Sequence, residues 1–129
     1  MAAPGITAAY QRATGERGVD VRAMARRAAV GQAEAAAVLH AAGTTFGRTL
    51  GGLVNTLDPE AVILGGGVVQ AGEPLWAPLE AAMRAEVLPS AAGVPLRPAE
   101  LGVDAGVIGA AELARELVSS PYAAVGAQP

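Results

Sequence analysis

The sequence predicts an α/β fold, rich in helix and carrying a small parallel sheet. Two β-friendly runs, Glu60–Leu64 and Val94–Pro98, alternate with helical patterns in the order helix, helix, strand, helix, strand, helix. Such alternation builds parallel strands joined by right-handed crossovers. Aromatic residues make up only 3% of the chain while apolar residues make up 52%, much of it alanine. Each buried side chain then contributes little transfer energy, so helix propensity and close backbone packing must supply more of the stability.

The elements follow in order. Residues 1–19 form a leading segment in which Pro4, Gly5, Gly15 and Gly18 leave room for one short helix at most. Asp20 is placed to cap a helix that stops at Gly31. Its Arg22, Arg26 and Arg27 read as a solvated face. A long helix spans Gln32 to Leu57, with Leu39, Ala42, Phe46, Leu50, Leu53, Val54 and Leu57 as an apolar stripe at three-and-four spacing. Gly43, Gly47 and Gly51 recur every fourth residue on one face of it, a pattern that suits the close approach of another backbone. Asp58-Pro59 ends this helix, because the residue before proline is pushed out of the helical region. Glu60–Leu64 reads as a buried strand. A helix from Leu75 to Val87 has Pro74 and Pro78 near its start, where a missing amide donor matters least. A short strand covers Val94–Pro98. A last helix, capped by Asp104, runs to about Val118, and 119–129 reads as a disordered tail.

Several function classes are excluded. The net charge of -3 and pI near 5.0 argue against a nucleic-acid surface, which needs a basic excess. With no cysteine there is neither a disulfide nor a thiol nucleophile nor a Cys-zinc site. No apolar stretch reaches the length of a membrane span, and no secretory pattern opens the chain, so the cytoplasm is the expected compartment. His40 has no partner ligand near it in sequence, and a metal is not expected there. Glu73, Glu80, Glu86, Glu112 and Glu116 fall on helix surfaces. Glu60 lies at the start of its strand, away from the glycines that follow it.

Those glycines, Gly65, Gly66 and Gly67, are the strongest pointer to a ligand. A dinucleotide fingerprint fails because its last glycine position is Gln70, and the Gly-Lys-Ser/Thr ending of a P-loop is absent. What remains is a tight turn at the carboxyl end of a parallel strand, where open α/β sheets place ligands. Bare backbone there could lie against a flat ring such as adenine, or could simply be needed to turn the chain. The pattern alone leaves both readings open.

The order of the motifs adds a resemblance. Leu53-Val54-Asn55 at the end of the long helix, Asp58-Pro59-Glu60, the strand, the triple glycine, Asp104-Ala105-Gly106 and Gly109-Ala110-Ala111 together resemble the C-terminal part of ROK-family proteins. That family comprises repressors, uncharacterised reading frames and sugar kinases such as glucokinases, and the resemblance covers residues 20–118. It implies an incomplete second, nucleotide-binding lobe of an actin-like (ribonuclease-H-like) ATPase fold, with Gly65, Gly66 and Gly67 against the adenosine of ATP. Asn55 and Asp104 match family positions too, but read as structural: a bond to a helix end and a helix cap. In the intact protein the resemblance implies ATP with Mg²⁺ and phosphoryl transfer to a hexose, with no cofactor assured for this chain. The phosphate loops, catalytic base and sugar-contacting segment of the family are absent from the sequence, so no catalytic residue is assigned and the chain is expected to be inactive alone. It is also expected to fold marginally or to self-associate as a homo-oligomer. The alternatives are the sugar-sensing half of a ROK repressor without its DNA-binding domain, and a remnant that only mediates oligomer contacts.

Overall fold

Residues 4–119 are those that the computed structural model describes. They divide into two compact units, one ending at Ala99 and the other beginning at Glu100. The first begins with α1, Pro4–Thr14, the short helix that the leading segment has room for. α1 is anchored by Tyr10, which is fully buried. The Tyr10 hydroxyl donates to Gln32 Oε1 at 3.0 Å and accepts from Arg27 Nη1 at 2.5 Å. α2, Val21–Ala29, starts where expected: Asp20 accepts the amide of Ala23 at 2.6 Å. Gly31, with φ +93°, follows its end. The arginine cluster is not uniformly solvated. Arg22 and Arg26 are exposed, but Arg27 is half-buried and also donates to Glu16 at 2.7 Å. Those bonds, Glu16 first and Tyr10 second, raise its pKa above the ordinary arginine value.

The two longest helices of this unit touch main chain to main chain. α3 covers Ala33–Leu57 and α4 covers Glu73–Glu86. A Cβ on Gly43 or Gly47 would overlap the carbonyl oxygen of Leu75 or Leu79, and one on Gly51 would sit 3.0 Å from that of Met83. Three glycines four apart on α3 thus meet three carbonyls four apart on α4, as when i±4 rows interdigitate. Cα–H···O contacts are the natural interaction at such a seam. This corrects the expected apolar stripe. Leu39, Leu50 and Val54 are buried beside the glycines, whereas Leu53 and Leu57 are exposed. The glycine row, lying between them, is itself the centre of the buried face. α4 begins two residues earlier than its leucine spacing suggests, so Pro78 lies inside the helix. It leaves the Pro74 carbonyl without its helical donor, and its ring lies over Gly43.

Leu39, Leu75, Leu79 and Met83 form the middle of the core, with Tyr10 and Met24 at the end under α1 and α2. A smaller cluster joins Val54, Ala91 and Val94.

β1, Val62–Leu64, pairs in parallel with β2, Leu96–Pro98, in the register Val62↔Leu96, Ile63↔Arg97, Leu64↔Pro98. α4 is the crossover between them. The strand expected at Glu60–Leu64 is therefore shorter, and it is not buried throughout: Leu64 faces the core but Ile63 is 66% exposed. Strand side chains alternate between faces, and within this unit only one face of the sheet is covered. Likewise Val94 is buried but precedes β2.

Two side chains fix the exit of α4. Asn55 donates Nδ2 to the Glu86 carbonyl at 2.9 Å and accepts the Leu88 amide on Oδ1 at 2.8 Å, so its bond to a helix end is real. Arg84 donates to the carbonyls of Ala92 (3.1 Å) and Val94 (2.6 Å), holding the segment that leads into β2. Asp58 closes α3 in the left-handed region, with φ 44° and ψ 55°, ahead of Pro59.

The second unit contains α5, Ala105–Ser119, after a 3₁₀ turn at Gly102–Asp104. α5 starts directly after Asp104 as expected, although the Asp104 carboxylate accepts no hydrogen bond among the described residues. Glu112 and Arg115 pair on its surface, and this bond lowers the pKa of Glu112. None of its residues is buried. Apart from Ser119, the tail expected to be disordered lies outside the described residues. Among those described, no helix is long and apolar enough to cross a membrane.

Two substitutions separate seam from surface. Gly47→Ala should destabilise the chain by about 2 kcal/mol or more, since overpacking against immobile backbone outweighs the gain in helix propensity. Gly52→Ala, in the same helix with nothing within 4 Å of the new Cβ, should stabilise it by up to about 1 kcal/mol. Urea unfolding of the pair reads both signs. In the same assay Asn55→Ala should cost about 1–2 kcal/mol, the value of two modest hydrogen bonds.

Candidate functional site

The glycine segment emerges where both strands end. β1 leads into Gly65, whose backbone stays extended (φ -124°, ψ -178°), then into a 3₁₀ turn from Gly66 to Ala71. Gly66 has φ +75° and Gly72 φ +60°, conformations that side-chain-bearing residues rarely adopt. The turn thus needs glycine at its first residue and again where it hands over to α4. Ala71, fully buried, and Val69 pin the segment to the core.

Gly65 and Gly66 are exposed and Gly67 is half-buried. Among the described residues, a Cβ on Gly66 would meet nothing within 4 Å, and one on Gly65 would reach only the Ala99 methyl at 3.4 Å. The Ala99 amide donates to the Leu64 carbonyl at 2.7 Å, so the parallel ladder continues one step past the strands and sets Ala99 beside Gly65. The result is a bare main-chain ledge at the carboxyl edge of a parallel pair, the place where such sheets hold ligands.

Sequence reasoning found the three glycines but missed what lies beside them. Ile63 and Arg97 are register partners, both exposed, on the face shared by Gly65 and Ala99. Only the pairing register reveals this, and no sequence signal sets that register. Of the other residues weighed, Asn55 is occupied in the α4 clamp. Glu60 and His40 are exposed and away from the ledge in the chain. Glu80 pairs with Arg84, and Glu86 lies 4.0 Å from Arg48. Among the described residues no three His, Cys, Asp or Glu side chains gather as metal ligands. The described residues thus offer Mg²⁺ no ready-made ligand cluster.

An apolar groove of about 760 Å³ lies elsewhere, between α1 and α3, lined by residues such as Ile6, Ala9, Val38, Ala42 and Phe46. Its polar lining is Glu34, Thr45 and Thr49, and both threonine hydroxyls donate to carbonyls of their own helix. A specific ligand pocket needs several converging polar groups, and beside the satisfied threonines the groove offers Glu34 alone. The ledge is the better candidate.

Most of the chain resembles known proteins. The sequence profile of the ROK family matches residues 1–117. The glucokinase of Halalkalibacterium halodurans is 41% identical over 76 residues, which cover 58% of this chain and 23% of that protein. The ROK hexokinase of Thermus thermophilus superposes with a TM-score of 0.71 at 36% identity, over 86% of this chain and 38% of the hexokinase. A ROK family glucokinase from Streptomyces griseus, solved in complex with glucose and AMPPNP, gives 0.68 at 28% identity over 88% and 38%. A ROK family transcriptional regulator, a homologue of the E. coli MLC protein, matches at TM-score 0.60 and 23% identity, which speaks to fold alone. The chain thus has part of the actin-like fold of the ROK sugar kinases, and spans about two fifths of their length.

Proposed function

This chain belongs to the ROK family, and from that premise we propose that it is the adenosine-binding part of the second lobe of a glucokinase-like sugar kinase. Gly65, Gly66 and Gly67 lie against the adenine and ribose of ATP. In the intact protein, ATP with Mg²⁺ phosphorylates a hexose hydroxyl in the cytoplasm. The observation that carries this reading is the exposed ledge at the carboxyl end of a parallel strand pair, with no described residue over Gly66 and only the Ala99 methyl beside Gly65.

The chemistry divides accordingly. Phosphoryl transfer requires phosphate-binding backbone, a metal and a base for the sugar hydroxyl. This chain contributes the surface that orients the nucleotide, and the rest of the kinase supplies those parts.

Calorimetry with ATP, ADP and glucose tests the assignment. Both nucleotides should release heat with this chain, and glucose none; a glucose-dependent ATPase activity from the chain alone would overturn the division of labour. Gly66→Asn suits the ledge best as a variant, because asparagine tolerates positive φ yet places a side chain where the base would rest. It should lose nucleotide binding by tenfold or more while unfolding at nearly the same urea concentration. Unchanged affinity would remove the glycines from the site. The sequence resemblance, which takes in ROK repressors as well as kinases, leaves a second reading, a sugar-sensing module. Heat from glucose with none from ATP or ADP would favour it.

A further inference from the structure

The segment from β1 to β2 contains two basic side chains, Arg84 and Arg97. Arg84 is fully engaged, holding two carbonyls and Glu80. Arg97 is exposed and makes no ion pair or side-chain hydrogen bond among the described residues. Its register partner is Ile63, and partners in a ladder put their side chains on one face. Two residues further on, Gly65 and Ala99 lie on that same face, within van der Waals reach of each other. Two strand residues advance about 6.6 Å, a distance that an extended arginine stem covers. The face therefore presents an exposed isoleucine and, side by side with it, a cation able to lean forward, with the bare glycine backbone next toward the carboxyl edge.

A nucleotide joins the two matching parts: a flat ring suited to the bare backbone and an anionic chain suited to the cation beside it. We infer that Arg97 is the phosphate-binding side chain of the glycine ledge, so that the ledge selects adenine nucleotides over adenosine. The inference rests on the adenosine-binding reading above. Arginine is suited to the task because its planar fork donates two parallel hydrogen bonds to phosphate oxygens. In a chain of net charge -3, a polyanion approaching this face meets no other free cation from the β1–β2 segment.

The test is calorimetric titration of the full chain with adenosine, AMP, ADP and ATP at low ionic strength. It is repeated for Arg97→Gln, for Arg97→Lys and for Arg22→Gln, an exposed arginine on α2. Affinity should rise from adenosine to ATP in the unmodified chain. Arg97→Gln should flatten that rise, weakening ATP by about tenfold or more, as expected for a lost charge-assisted pair, and leaving adenosine unchanged. Arg97→Lys should recover part of the difference, and Arg22→Gln should match the unmodified chain. Equal ATP affinity in Arg97→Gln, or an equal loss for adenosine and ATP, would overturn the inference while leaving the ledge in place. If no member of the series binds, the adenosine-binding reading fails and takes this inference with it. Arg97 is exposed, so urea unfolding of its variants should follow that of the unmodified chain.

Discussion

Contact between the backbones of α3 and α4 is the constraint from which the larger unit follows. Gly43, Gly47 and Gly51 give up the propensity that alanine would offer, roughly 1 kcal/mol each, and in return the carbonyls of Leu75, Leu79 and Met83 come directly onto the α3 surface. A chain poor in large rings can bury enough only if its helices approach this closely. The seam fixes where α4 runs, and α4 in turn fixes both strands. At its start it receives the chain from Gly72; at its exit Asn55 and Arg84 tie down the segment that becomes β2. The register of two three-residue strands, weak in itself, is inherited from that helix pair.

The ledge is a product of the same geometry. Gly66 and Gly72 are needed to turn the chain sharply from β1 into α4, and a segment without side chains at that edge is at once a turn and an open surface. The structural and binding readings of the glycines thus describe one feature, since the conformation that demands glycine is the one that exposes the main chain. The groove between α1 and α3 has a volume of about 760 Å³, but its threonines are satisfied by their own helix. It offers area without direction.

Much of this was legible in the sequence, and the failures have physical causes. Asp20, Gly31 and Asp58-Pro59 marked helix ends because capping and proline chemistry act locally. The glycine row announced a close approach, though nothing local names the partner. The leucine spacing misled twice. Leu53 points about 100° away from buried Val54 and Leu57 is the last residue of α3, so both are exposed, and at α4 a start inferred from Leu75 overlooked that Glu73-Pro74 already suits a first turn. Ile63 sits in an unbroken apolar run that implied burial on both sides, but this unit covers only one side of its sheet. Arg27 looked like part of a solvated charge run until Tyr10 and Glu16 reached it from α1 and the residues after it. Arg97 was invisible as a candidate, because its neighbourhood is created by register.

The most direct test is an amide-resolved NMR titration of the chain with AMPPNP. The account predicts that the amides of Gly65, Gly66 and Gly67 shift first and saturate with a single affinity, while those of Ala37, Ala41 and Thr45 along the α1–α3 groove stay in place. Shifts confined to the groove, or none at the glycines when the nucleotide is in large excess, would contradict it.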